Sequence, residues 1–532
     1  MGSPWRAAPL LAVLGVGLPA AAAAQETSDA VRIRRILVES RGIFPEANGA
    51  LLPKLADAFH ATTHESVIRR ELLFREGEVL DLERVAETER NLRRYPYFRD
   101  VRLRVEAVGD GEVDVHVETF DAWTTEIGIR GGSDGGETRF GASVQENNFL
   151  GLGKRLGFEL QVGPDRTTNQ LLYEDPQLFD GAAVLQLAAG INSDGTHYRV
   201  HVGREFRTVD TPWGATVTLE QNAFDTRIWN SAVETARWQT QARFGEISAG
   251  RLLTPEGGRP LTRVFAGFRY QERNFAEDPE FVSSSPAPSP RRFGFLYSRL
   301  EWIRPDWLAT QGVARLARTE DIDLGSTASV ELGWSPPFFA GESAWSGQLL
   351  LSHGIRIPNG YLRGDLQASS RYQGGSPANT LAQAQLLAVW KPSEASRHTL
   401  LARGLVGAGW ALDEDVQLAA DGTTGLRGYR VHSYTGDRRV LLNLEDRMLM
   451  TGELAHFFQL GAAGFVDAGY AWPKGAPWRF SDLRTDVGVG LRIQLTRASH
   501  NGLIRLDLAW PLQPDPLGRR APLLSFSGSQ AF

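Results

Sequence analysis

The chain has 532 residues, and its 56 glycines, 14 tryptophans, 10% aromatic content and only 3 methionines describe a glycine- and aromatic-rich β protein better than a helical one. A net charge of −6 lacks the basic face that a nucleic-acid partner requires, which sets that class aside. With no cysteine there is no disulfide framework, and no thiolate to bind a metal or attack a substrate.

Residues 1–24 read as a secretory signal peptide. Arg6 is the only early positive charge, Ala7 to Ala23 is an apolar run, and Ala22-Ala23-Ala24 before Gln25 offers a small-residue cleavage site. No later segment has the roughly 18 apolar residues a membrane helix needs. Alternating strands can cross a bilayer without such a run, because only every second residue faces lipid.

Residues 25–120 carry mixed signals that predict a small α+β domain. Val31 to Val38 is a strand candidate, and an extra helix is expected around Leu51 to Phe59. Thr62-x-x-Glu65 resembles a capping box before Val67, Ile68, Leu72 and Leu73, which recur at helical spacing. Asp81 can cap a second helix that shares Leu82, Val85 and Leu92 on one side and must stop before Pro96. Two alternating strands follow, Val101-Leu103-Val105 and Val113-Val115-Val117, joined across Gly109-Asp110-Gly111. The order is strand, helix, helix, strand, strand. His60, His64 and Glu65 have the spacing of a metal motif, but Thr62 and Thr63 break the helix between the histidines, so no metal site is expected.

Residues 121–532 are a succession of alternating segments split by Gly/Asp/Asn/Pro-rich turns, which predicts an antiparallel transmembrane β-barrel. In Val487 to Thr496, Val487, Val489, Leu491, Ile493 and Leu495 share one face, opposed by Gly488, Gly490, Arg492, Gln494 and Thr496. Ile504, Leu506, Leu508 and Trp510 oppose Leu503, Arg505 and Asp507, and Leu156, Phe158, Leu160 and Val162 oppose Arg155, Gly157, Glu159 and Gln161. Charge on one parity is tolerable in lipid only if that parity faces the lumen. A soluble sandwich shows the same alternation; the export signal and the aromatics at strand ends, Tyr470, Trp472 and Trp510, favour the membrane. Gly131-Gly132-Ser133-Asp134-Gly135 has the letters of a nucleophile elbow, but its setting is a hairpin turn rather than a strand entering a helix. Ser283 to Pro290 is a Pro/Ser-rich stretch, read as an extracellular loop. With 10 scattered histidines and no elbow, no catalytic residue, enzyme activity or cofactor is expected.

The sharpest site lies late in the chain. Arg427 sits between glycines in Thr424-Gly425-Leu426-Arg427-Gly428-Tyr429, within the long connection Asp413 to Gly436. Asp467 falls on the polar parity of a strand-like alternation, so in a lipid-embedded barrel it points into the lumen; the same charge on the lipid face would cost roughly 2–4 kcal/mol. A loop folded back into the lumen would let Arg427 make a bidentate pair with Asp467, and the flanking glycines permit the close approach.

These words together resemble a known family. Val67-Ile68-Arg69-Arg70-Glu71-Leu72, Gly77 and Tyr97-Phe98-Arg99-Asp100-Val101 look like a POTRA domain of outer-membrane assembly factors of the BamA and TamA type. Asn147-Asn148-Phe149-Leu150-Gly151-Leu152-Gly153 and Tyr173-Glu174-Asp175-Pro176 resemble early barrel segments of that superfamily. Gly425-Leu426-Arg427-Gly428-Tyr429 is similar to its loop motif, Phe465-Val466-Asp467-Ala468-Gly469 to its inward strand motif, and Glu445 matches the acidic residue after the loop. The resemblance implies a loop-lumen strut of Arg427, Gly428, Tyr429, Glu445, Asp467 and Gly469. It also implies sixteen strands, which are favoured here, with twenty as the alternative because about fifteen alternating runs precede the loop and five follow it. Finally, it implies an outer-membrane protein of a Gram-negative-type bacterium with its POTRA domain in the periplasm. Such a protein inserts or translocates unfolded outer-membrane or secreted polypeptides, with a periplasmic accessory protein as a further partner of the POTRA domain. A two-partner secretion transporter and a passive pore are the alternatives.

Overall fold

The computed structural model describes residues 31–42 and 61–527, apart from short gaps at 110, 135–136, 164–165, 182, 207–210, 256, 317–318, 341–342, 394 and 497–502. The signal-peptide reading, the extra helix around Leu51 to Phe59, and His60 lie outside those residues.

The first unit is a three-stranded sheet under two helices. Strand β1 (Arg32–Arg41) runs parallel to β3 (Glu112–Asp121), which pairs antiparallel with β2 (Phe98–Gly109), so β3 is central. Helices α1 (Glu65–Arg69) and α2 (Leu82–Arg94) cover one face. Ile33, Ile36, Val67, Ile68, Leu92, Val101, Val115 and Val117 form the core between them. Asp81 caps α2 by accepting the N–H groups of Glu83 and Arg84. The capping box expected from Thr62 and Glu65 is not formed: α1 starts after His64 with no side-chain cap. The chain is held one residue further on, where the Thr63 N–H and hydroxyl both donate to buried Asp121, at 2.8 and 3.0 Å, and the helix starts only after His64.

The second unit is a closed barrel of twenty antiparallel strands, from Thr125–Asp134 to Leu523–Ser527. The favoured count of sixteen is corrected to twenty. Fifteen strands precede the long connection and five follow it, and Ser326–Ser335, Ala344–Ile357, Gly360–Gln373 and Ser376–Trp390 are each full barrel strands rather than halves. The alternation alone gave the right number; the family expectation pulled it down.

Side-chain parity divides the wall as a membrane requires. Ile127, Leu219, Ile247, Leu332, Leu386, Leu444 and Val489 are exposed on the outside, whereas Asn443, Glu445, Asp467, Arg492 and Asp507 are buried inside. Exposed tryptophans collect near both rims, with Trp213, Trp302 and Trp390 on the POTRA side and Trp334, Trp345, Trp410 and Trp510 on the far side. Of the described residues, only Leu524 with Ser133 and Ser525 with Gly132 pair where the last strand meets the first. The described part of the last strand, Leu523–Ser527, has 5 residues, against 20 in Val233–Leu252.

A closed ladder leaves no strand end to peel away in detergent, since opening one exposes backbone groups to an apolar phase. Unheated protein from assembled membranes should therefore migrate differently from boiled protein on a detergent gel. Identical mobility of the two samples would contradict the barrel.

Candidate functional site

The connection between the strands His398–Trp410 and Arg438–Leu449 lies on the rim opposite the POTRA domain. Leu418–Ala420 pairs with Tyr434–Gly436, folding it into a hairpin whose tip enters the barrel. Asp421 organises the tip: one carboxylate oxygen accepts the Thr423 and Thr424 N–H groups and the other accepts that of His432. Gly425 has φ +124°, where a side chain would be strained and would press on Asn443 and Arg403. Leu426 and Tyr429 then bury against Leu405, Leu441 and Ala471 of the wall, so an apolar contact seats the loop on either side of its arginine.

Arg427 spreads its guanidinium over three carboxylates. Nε and Nη2 donate to the two oxygens of Asp467 at 2.7 and 2.9 Å, and Nη1 donates to Glu445 at 2.7 Å and to Asp507 at 3.3 Å. Its Cζ stands 3.4 Å from the centroid of the Phe465 ring. Asn443 donates to Asp467 at 2.7 Å and to the Gly425 carbonyl, which ties strand and loop backbone together. Arg447 and Arg492 donate to the remaining Glu445 oxygen at 2.9 and 3.1 Å, and Arg492 also donates to Asp507 at 2.5 Å. The side chains of Arg427, Arg492, Glu445, Asp467 and Asp507 are almost wholly removed from solvent. Every carboxylate in this set faces at least one guanidinium.

The six residues read as a strut from sequence come together around this point. Gly428 is required by contact: a Cβ there would fall 2.4 Å from the Cβ of Asp486, the ladder partner of Asp467. The Tyr429 hydroxyl donates to the Thr485 and Gln513 carbonyls at 3.2 Å. Gly469 leaves room for Leu441, whose Cδ2 would lie 2.5 Å from a Cβ at that position. Sequence reading missed Asn443, Arg447, Arg492 and Asp507 as members. Their signal was present, since Arg492 and Asp507 occupy the polar parity of adjacent strands, but parity does not give height along the barrel. It also missed the far hold on the loop. Gln417 exchanges hydrogen bonds with the backbone of Trp229 at 3.0 Å each way, Thr435 donates to the Trp229 carbonyl, and His432 stacks on the Trp229 ring at 4.2 Å.

The other resemblance motifs form the seat of the POTRA domain. His64 N–H donates to the Gly151 carbonyl, Asn148 donates to the Thr63 hydroxyl, and Gln177 donates to Glu71 and to the Val67 carbonyl. Gly151 and Gly153 both have positive φ, and a Cβ at Gly151 would lie 2.5 Å from the Thr62 carbonyl oxygen. Farther round the rim Arg259 reaches Glu83 at 3.2 Å and Arg93 reaches Asp321 at 3.3 Å, so the domain spans the barrel mouth.

The POTRA family, described as surface antigen variable number repeat, matches residues 60–119. Similar solved structures include a BamA from Haemophilus ducreyi lacking POTRA domains 1–3, at 15% identity over 93% of this chain and 84% of that one, with a TM-score of 0.40. CdiB from Acinetobacter baumannii is 13% identical over 94% of this chain and 74% of its own, with a TM-score of 0.45. CdiB from Escherichia coli is 12% identical over 94% and 77%, with a TM-score of 0.43. A POTRA domain leading into a closed barrel with an apolar outer face defines the class.

Removing the arginine leaves buried Asp467 without its guanidinium, while Glu445 and Asp507 keep Arg447 and Arg492; stranding one member of a truly buried pair costs about 3–5 kcal/mol. Arg427→Ala should therefore expose the loop to protease added outside intact cells. Arg427→Lys should protect it only partly, because a point charge cannot satisfy Asp467 and Glu445 together. Gly428→Ala should behave like Arg427→Ala through its clash with Asp486. Wild-type protease resistance in Arg427→Ala would show that the apolar seat alone holds the loop.

Proposed function

We propose that this protein assists the insertion or translocation of polypeptides at the outer membrane, and that the Arg427 cluster serves as the strut holding the long loop in the lumen. The observation that carries the reading is the seam. Among the described residues, a last strand of 5 residues that meets the first through two backbone pairs is the weakest place in an otherwise continuous ladder. Opening it presents unpaired N–H and C=O groups that an incoming strand can complete by β-augmentation.

The POTRA sheet offers a second edge of the same kind. The outer edge of β1 is covered at its start, where Ile33 and Leu80 exchange backbone hydrogen bonds with neighbouring segments and Glu76 accepts the Ile36 N–H. The outer side of β2 from Arg102 to Val108 is exposed and shows no strand partner among the described residues. An extended client strand would lie there, below the barrel mouth, before reaching the seam. A passive pore fits less well, because the lumen is entered by the long loop and its polar wall is spent on holding that loop. A two-partner secretion role would use the same POTRA edge but would pass its client through the lumen, which requires the Arg427 cluster to disengage.

A photocrosslinker at Val108 on β2 should capture polypeptide in cells, and depletion of the protein should lower the abundance of particular outer-membrane or secreted proteins. No captured polypeptide together with an unchanged proteome would remove the proposal. Because the chain has no cysteine, Gly132→Cys with Ser525→Cys gives a clean lock across the seam. Oxidation should stop insertion and reduction should restore it, whereas a client that passes through the lumen would be unaffected.

A further inference from the structure

We propose that the POTRA-side connection between the strands Arg291–Arg304 and Ser326–Ser335 is a second plug, and that its seating is coupled to that of the far-side loop through the carboxylate of Glu445. The inference stands apart from the identity of any client. Trp307–Thr310 pairs with Glu320–Asp323, so this connection is a hairpin of its own rather than a barrel turn. Its base is anchored where Leu324 packs with Tyr361, Val389 and Leu401, joined by Leu308, Val313 and Ile322. Glu320 accepts the N–H groups of Val313, Ala314 and Arg315, which stiffens the tip. Leu316 lies inside the wall: it is buried, its N–H donates to the Gln494 side chain at 3.4 Å, and its methyls would lie 3.2 and 3.3 Å from a Cβ on Gly461.

The two plugs meet at one residue. Arg447 donates through Nη1 to the Val313 carbonyl of the hairpin and through Nε to Oε1 of Glu445 at 2.9 Å. Oε2 of the same carboxylate takes Nη1 of Arg427 from the loop at 2.7 Å. Arg492 also holds Oε1, at 3.1 Å, and leans on Asp507, so Glu445 has no slack to absorb movement on one side alone. At its base the hairpin reaches the POTRA domain through Asp321 and Arg93. A contiguous line of hydrogen bonds and packed side chains therefore runs from α2, through the hairpin, Arg447, Glu445 and Arg427, to the far-side loop. Unseating the hairpin frees Arg447 from Val313 and shifts its hold on Glu445, which weakens the grip on Arg427. By reciprocity, unseating the loop loosens the hairpin.

The test uses full-length protein. Leu316→Glu places an unpaired charge in the tip contact without touching the loop, and Leu426→Cys in the loop is a buried reporter in a chain with no other thiol. With folding checked by heat-modifiable migration, Leu316→Glu should raise single-channel conductance in planar bilayers. It should also speed labelling of Leu426→Cys by a membrane-impermeant maleimide on intact cells by about tenfold. Unchanged conductance would overturn the plug, and raised conductance with Leu426→Cys still protected would overturn the coupling. If Leu316→Glu does not assemble, the pair Leu316→Cys and Gly461→Cys decides the plug. Oxidation should lower conductance below the reduced level, and equal conductance in both states would overturn it.

Discussion

The structure depends on one guanidinium placed where water is scarce. Arg427 is carried into the barrel on a loop, and it stays only because Asp467, Glu445 and Asp507 are already there and are themselves held by Arg447, Arg492 and Asn443. Such a cluster adds little net stability over an apolar filling of the same shape, because desolvation offsets most of the Coulomb gain. What it supplies is position. Apolar contacts of Leu426 and Tyr429 would tolerate a slide of the loop along the wall, whereas a fork matched to two oxygens of one carboxylate and one of another does not. The glycines serve that geometry, Gly425 by its backbone angle and Gly428 by the room it leaves beside Asp486.

Much of this was legible before any coordinates. The inward parity of Asp467 and its pairing with Arg427 follow from period-two alternation and the cost of charge in lipid, the order of the first domain's elements from caps and apolar spacing, and the share of Glu445 from the family resemblance. The strand number is legible too, as fifteen alternating runs before the long connection and five after it, whereas the resemblance implies sixteen. Three features were hidden for physical reasons. Thr62 and Glu65 have the letters of a capping box, yet the helix starts after His64, because the neighbouring Thr63 is bound to Asp121, far away in sequence. The hairpin at Trp307–Asp323 alternates as the wall strands do, and alternation cannot say whether a strand joins a barrel or fills it. The wider cluster around Glu445 depends on which residues of adjacent strands share a height, and register is set by shear, which no single strand encodes.

The POTRA domain and the barrel are less separable than their sequence boundary implies. The turn from Asn147 to Gly153 reads as part of the wall, but its backbone angles and its contacts with Thr62, Thr63 and His64 serve the domain that sits on it. Together with Arg259–Glu83 and Arg93–Asp321, this gives the domain holds at several places round one rim, so its orientation over the mouth is specified rather than left to a linker.

The two holds on the long loop lie on opposite walls. Trp229 closes the seventh strand and Asp467 belongs to the seventeenth, ten positions apart in a ring of twenty. A loop pinned at both ends therefore acts as a tie rod across the hoop. A cylinder held by hydrogen bonds resists stretching along its wall but flattens easily into an oval, and a diametral tie removes that soft mode in one direction. Any parting of the wall that broadens the ring along the tie must stretch it, and any that narrows the ring must buckle it. The barrel therefore carries a built-in gauge of its own cross-section.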